Sequence, residues 1–328
     1  MATMRDIAKQ AGVSLKTVSR VFNNDAHVRP EVRQRVQQLL VENDYVPNEL
    51  AQTFRSGRGR VIGIAVPDLL DPFFAAITAS VSDVARQHGY ATLVTATGFD
   101  PDDERRDVNA LLARRLAGLV LAPVSADHSY LSGSVPVVLV DQPAAGVNLD
   151  SFLHEDRVGA TIATRHLLDH GFQRIGFIGT AEHLTTTRER LAGYRHTLRD
   201  TQAGVDETLI ISNVDGKRPA PQAYAHLRQQ GIDALFVSDP RTMITCLPAL
   251  QRDPVAVIGF GDFPLADLLT PSISVIDQNP SVMGSRAAQR LFNLIDGPTK
   301  AQLGNHLVEP VRLSVRLLER QSCRIGAS

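Results

Sequence analysis

Lys16 and Arg20 stand four residues apart in AGVSLKTVSRVF, so a helix over this stretch would present both from one face, with Leu15 beside them. A guanidinium or ammonium at that spacing can pair with guanine O6 and N7, and a leucine can touch a thymine methyl. Thr3, Ser14, Thr17, Ser19, Asn23 and His27 are the side-chain types that hold phosphate oxygens. To read DNA, the helix must bury its other face, for which Val18 and Val21 are placed. A three-helix bundle with a merely solvated basic face would give the same pattern.

Other candidate chemistry is weaker. AGVSLKTVS lacks the Gly-x4-Gly-Lys spacing of a phosphate loop and follows a helical pattern where that loop needs a strand. His154, Glu155 and Asp156 are adjacent in sequence, so they cannot converge on one substrate, and they sit where a helix should begin. Cys246 and Cys323 have neither metal-type spacing nor a disulfide framework around them. No convergent catalytic set emerges, and the expectation is a non-enzyme that needs no metal or cofactor.

The charge is divided in a way that supports a nucleic-acid partner for one end. The first sixty residues hold ten Arg and Lys against six acids, a net +4, which leaves −5 for the rest of a chain whose total is −1. Charges interrupt MATMRDIAKQ where a signal peptide would need an apolar core, and no apolar run reaches membrane length, so a cytoplasmic protein is expected.

These residues need elements to position them. The first 47 residues predict three helices: one opened by a Thr3/Asp6 capping box and closed by Gly12, a second over Leu15 to Phe22 behind Ser14, and a third from Pro30 to about Asn43. After Val61, apolar runs such as VIGIAVPD, AGLVLAPV and VPVVLVD alternate with amphipathic helices, and the pattern restarts after Asp150 with RIGFIGT, DALFVSD and PVAVIGFGD. At 328 residues this implies a small all-α headpiece followed by an α/β core of two Rossmann-like, doubly wound parallel-sheet lobes facing a cleft.

The run TMRDIAKQAGVSLKTVSRVFNNDAHVRPEVRQRVQQLLVENDYVPN, the segment NELAQTFRSGR and the two-lobed core together resemble the LacI family of bacterial transcription repressors. The resemblance implies a helix-turn-helix headpiece, residues 1–47, and a hinge helix and linker, 48–60. It makes Leu15, Lys16 and Arg20 base readers, with Thr17 and Ser19 on the backbone. Tyr45 and Asn48 match further headpiece contacts, Ala51 a close-packed hinge position, and Phe54 a wedge that unstacks a base step in the minor groove, where relatives more usually carry leucine.

For the core, the resemblance implies a periplasmic-binding-protein-like fold. Its first lobe would hold residues 61–151 and 278–305 and its second 152–277 and 306–318, with a tail over 319–328. A small effector, a sugar or acidic sugar derivative, would bind in the cleft through Asp71, Phe73, Phe74, Asp141, Arg188, Asp239 and Phe260. The partners implied are pseudo-palindromic operator DNA, the effector and a second copy of the chain, with no membrane. Regulation by release makes a repressor; an activator or a corepressor-dependent regulator has the same head. Two departures stand out: Asp239-Pro240-Arg241 replaces a polar pair, and Gly261 stands where many sugar-sensing members have aspartate, with Asp262 following. Arg188, Arg190 and Arg241 would then lean the cleft toward an acidic or phosphorylated sugar.

Overall fold

The computed structural model describes residues 3–22, 25, 27–43, 59–131, 133, 135–143, 146–199, 201, 204–214, 219–297 and 309–324. The chain divides into two compact units, residues 1–59 and 60–328.

In the first unit, helix α1 spans Met4–Ala11. The Asp6 amide donates to Thr3 Oγ1 (3.3 Å) and the Thr3 amide to Asp6 Oδ2 (2.9 Å), so two helix-start donors are satisfied reciprocally. Gly12 closes the helix at φ 63°, a left-handed conformation that glycine adopts without steric cost. Helix α2, Leu15–Phe22, starts behind Ser14, whose Oγ accepts from the Thr17 amide at 3.1 Å. Helix α3, Pro30–Glu42, begins on a proline whose missing N–H costs nothing in the first turn. Ile7, Ala8, Ala11, Val18, Val21 and Val36 form the core, with Val32 and Leu39 packed partly buried against it.

The second unit contains two six-stranded sheets. In the first lobe the strand order is β11-β5-β4-β3-β1-β2: Val311–Leu313, Asp150–His154, Val137–Val140, Gly118–Leu121, Val61–Val66 and Ala91–Ala96, all parallel. Side-chain alternation sends Ile62, Ile64, Val66, Val120, Val138 and Val140 toward helices α4 (Pro72–Gln87) and α10 (Pro280–Asp296), while Ala65, Leu119, Leu121 and Leu139 pack toward α5 (Pro101–Leu112). In the second lobe the order is β12-β10-β9-β8-β6-β7: Arg316–Leu318, Ser274–Asp277, Ala256–Phe260, Ala234–Val237, Ile175–Ile178 and Ile210–Ile211, with β12 antiparallel. Helices α6 (Asp156–Asp169) and α7 (Thr185–Arg199) cover one face, and α8 (Ala220–Gln229) and α9 (Pro240–Arg252) the other.

Among the described residues the backbone passes between lobes three times, at Glu155, at Gln278-Asn279 and between Leu313 and Arg316. Strand pairing therefore assigns Phe152–His154 and Val311–Leu313 to the first lobe, where the sequence reading had divided the lobes at 151 and 305. Neither short strand carries a long apolar run, and only its pairing partner reveals its lobe. The crossings are tied together: the Glu155 amide donates to Leu313 O (3.0 Å), Arg316 pairs with Asp277 (3.0 Å), and Gln278 Nε2 meets His154 Nδ1 at 3.3 Å.

Helices α6 and α7 approach closely because Gly193 has no side chain. A β-carbon there would press into the Arg157 carbonyl oxygen and stand 2.9 Å from Ala160 Cβ. Gly193→Ala is expected to destabilise the core by about 1–3 kcal/mol through overpacking, read as a lower urea midpoint at unchanged m-value.

Candidate functional site

On the headpiece, α2 places Lys16 and Arg20 on its exposed side and buries Val18 and Val21, so the expected reading face is free for a ligand. Leu15, Thr17 and Ser19 are half-buried beside them. Arg20 is not left to wander: its Nε lies 3.4 Å from Asp25 Oδ2. Asp25 in turn accepts from the His27 amide and faces the His27 ring, each at 3.0 Å, and these hydrogen bonds hold its carboxyl below the usual range. Sequence reasoning passed over Asp25, because an acid on a DNA-facing surface looks unhelpful until it is seen orienting an arginine. The hydroxyls of Thr3 and Ser14 are engaged in their helix caps. Asn23, Tyr45, Asn48, Ala51 and Phe54 lie outside the described residues.

In the core, parallel strands from both sheets end on one cleft of about 790 Å³. Asp71 follows β1 and caps α4, accepting from the Phe73 amide at 2.9 Å. Asp141 follows β4 with φ 69°, and Asp239 follows β8 and caps α9 through the Thr242 amide at 2.8 Å. Phe73 and Phe74 meet edge to face, centroids 5.2 Å apart, and line the same cleft. Asp71, Phe73, Phe74, Asp141 and Asp239 all line this cleft.

Two candidates are corrected. Arg188 is exposed and outside the lining, donating to His183 O (3.3 Å) and Thr185 Oγ1 (3.1 Å). Arg190, two positions on, is buried at 7% exposure and lines the cleft. Arg190 donates to Asp156 Oδ1 (2.8 Å) and Ser238 O (2.6 Å). The second correction is Phe260, fully buried outside the lining, whose ring lies under the Arg190 guanidinium with 4.1 Å from centroid to Cζ. It supports the arginine and is screened from the cleft.

The two sequence departures prove to be one packing solution. Pro240 occupies the first turn of α9, where no backbone donor is lost. Gly261 has φ 88°, and a β-carbon there would stand 2.6 Å from Pro240 Cγ, so the proline and the glycine fit each other. Asp262 does not replace the missing anchor, because it forms a two-pronged pair with Arg320 at 2.9 and 2.8 Å.

Carboxyl groups outnumber guanidinium groups in the cleft. Asp68, Asp71, Asp141 and Asp239 line the cleft against Arg190 and Arg241. Arg190 is already paired with Asp156, and Arg241 with Asp68 from the opposite lobe. Burial, then the charges of Asp239 and Asp141, pushes Asp71 up to about 7. Burial pushes Asp141 up to about 6 against the pull of Arg190, and it raises Asp239 and Asp156 as well. A bound anion would meet this carboxylate excess, whereas hydroxyl groups would find acceptors. Gln142 bridges the lobes beside Asp141, donating to Thr186 Oγ1 (3.1 Å) and accepting from the Thr185 amide (2.9 Å).

Comparison with known proteins matches both units. Residues 3–48 match the family model for bacterial regulatory proteins, lacI family, and residues 164–323 that for a periplasmic binding protein-like domain. The chain is 31% identical to the HTH-type transcriptional regulator GalS of Salmonella typhimurium over 84% of its own length and 85% of that protein. It is 28% identical to the ribose operon repressor of Escherichia coli, over 98% of this chain and all of that one. Among solved structures, the lac repressor dimer bound to operator and the anti-inducer ONPF superposes with a TM-score of 0.83 at 23% identity, covering 98% of this chain and 99% of that chain.

Proposed function

The chain belongs to the lacI family of bacterial regulatory proteins, and from that premise we propose that it is a homodimeric, cytoplasmic repressor whose grip on operator DNA is set by a neutral sugar in the core cleft. It acts by binding and not by turnover. The observation that carries the effector class is the set of four carboxyl groups at strand ends facing two arginines, of which the buried Arg190 is already paired with Asp156. Asp71, Asp141 and Asp239 accept from sugar hydroxyls, Arg190 donates to a ring or hydroxyl oxygen, and the Phe73 and Phe74 rings cover the C–H faces. None of the described helices is long and apolar enough to cross a membrane.

In this reading Leu15, Lys16 and Arg20 touch base edges. The basic head neutralises phosphates and makes affinity steeply salt-dependent. Sugar alters the angle between lobes through the three crossings, and the coupling is reciprocal, so operator changes sugar affinity by the same factor. The test is an anisotropy titration of the dimer on its footprinted operator with D-ribose, D-galactose and ribose 5-phosphate. A response to a neutral sugar supports the reading; a response confined to the phosphorylated sugar overturns it. The direction separates regulation by release from regulation by tightening.

Arg20→Ala is expected to weaken operator binding by about 1–3 kcal/mol and to relax the preference for guanine at one position of each half-site. Binding to a panel of operators with single base changes measures it. A uniform loss across the panel would assign Arg20 to the phosphates instead.

A further inference from the structure

Away from the cleft, two histidines and a glutamate converge on the second lobe. His166 lies in the last turn of α6, His170 caps the same helix, and Glu319 follows β12. One ligand atom from each comes within 4.8 Å of the others. Histidines four residues apart on a helix share a face, so this pair is fixed by the backbone itself.

The hydrogen bonding leaves the nitrogens prepared for a ligand. His170 Nδ1 lies 2.8 Å from His166 O, and a carbonyl can only accept, so Nδ1 carries the proton and Nε2 keeps its lone pair. A backbone carbonyl on the second ring nitrogen is the usual outer support of a metal-binding histidine. His166 Nε2 is buried without a hydrogen-bond partner. Arg324 donates to Glu319 Oε1 at 3.0 Å. Histidines near a helix C-terminus also favour the negative end of its dipole, but that role does not account for a buried Nε2 without a partner or for the approach of an acid.

We propose that His166, His170 and Glu319 form a binding site for a divalent transition-metal ion of the zinc class. Two imidazoles and a carboxylate are a borderline-soft donor set that suits zinc over calcium or magnesium, with water completing four-coordination. Ligand atoms about 2.0–2.2 Å from zinc lie closer together than 4.8 Å, and small side-chain rotations close the difference. The ion would fasten the segment after β12 to the end of α6. The only two cysteines do not compete, since Cys246 and Cys323 are buried, with thiols pushed up to about 12 and about 11.

The test uses the full-length dimer without an affinity tag, stripped with chelator and titrated with Zn2+ against a chromophoric competitor. One ion per chain is expected, with a rise in Tm on zinc addition. His170→Ala and the surface change Glu319→Gln should each weaken binding by about tenfold or more and remove most of that rise. Equal affinity in the parent and either variant, or no saturable zinc binding by the parent, overturns the three-residue site.

Discussion

Exchange of Arg190 for alanine is expected to lower effector affinity by at least about a hundredfold while the headpiece still binds operator, giving a dimer that no longer responds to sugar. The size of the effect follows from how the guanidinium is held. It is buried, stacked on Phe260, bonded to Ser238 O and paired with Asp156 at 2.7 Å. Removing one member of such a pair leaves a buried charge without compensation, which costs about 3–5 kcal/mol of stability. Urea unfolding and calorimetry with whichever sugar binds the parent measure the two losses separately. The double variant Arg190→Ala/Asp156→Ala distinguishes a strut from a ligand contact. It should recover much of the stability and none of the sugar binding, and recovery of both would reduce Arg190 to a structural support. Lysine is not expected to substitute, because a point charge cannot reproduce the two directed bonds and the ring contact together.

The second large effect concerns Asp71 and has the opposite sign. Its pKa is raised from 3.8 to about 7 in the folded chain, mainly by burial and then by Asp239 and Asp141. A folded-state pKa above the unfolded one means that the native protein binds more protons between these values. Stability is then greatest below the unfolded pKa and falls as pH rises toward 7. A rise of that size corresponds to at most about 4 kcal/mol lost by pH 8. Asp71→Asn keeps the helix cap, since asparagine also accepts from the Phe73 amide, and removes the charge. The variant should be more stable than the parent at pH 8, show a flatter stability profile between pH 4 and 8, and bind sugar more weakly. Denaturant midpoints across that range test it, and parallel profiles for parent and variant would contradict it. The cleft would thus be a place where stability is given up for binding, as sites often are.

Much of this was legible in the chain, for identifiable reasons. The headpiece could be read because each boundary has a local cause: Thr3 with Asp6, Gly12, Ser14 and Pro30. Asp71, Asp141 and Asp239 were picked out by the family resemblance, and they line the cleft at the carboxyl ends of parallel strands. Arg188 and Arg190 both stand in TTTRERLAG, yet two residues along a helix swing a side chain through about 200°, slightly more than a half-turn. The signal was present in the run Thr186, Thr187, Arg190, Leu191, Tyr194, Leu198, which follows the buried stripe of α7 and takes Arg190 inward. The lobe assignment of β11 was not legible, since it depends on pairing with β5, more than 150 residues earlier in the chain. The carboxylate excess likewise required knowing that Asp68 and Asp156 had taken up the two arginines.

The three crossings between lobes also set the order in which the protein can be completed on the ribosome. Helix α10 supplies Met283, Ala287, Leu291 and Phe292 to the first lobe, and β11 closes the edge of its sheet. Strands β1 to β4 are made by residue 140, but their covering helix ends only at Asp296. At usual rates of synthesis the first sheet waits roughly ten to thirty seconds with the face that α4 and α10 share only half covered. The described core of the headpiece ends at Leu40, and that stretch is made long before. A nascent chain would therefore carry a finished DNA-reading head well before it has a cleft to answer a sugar, and full-length synthesis is what joins recognition to control.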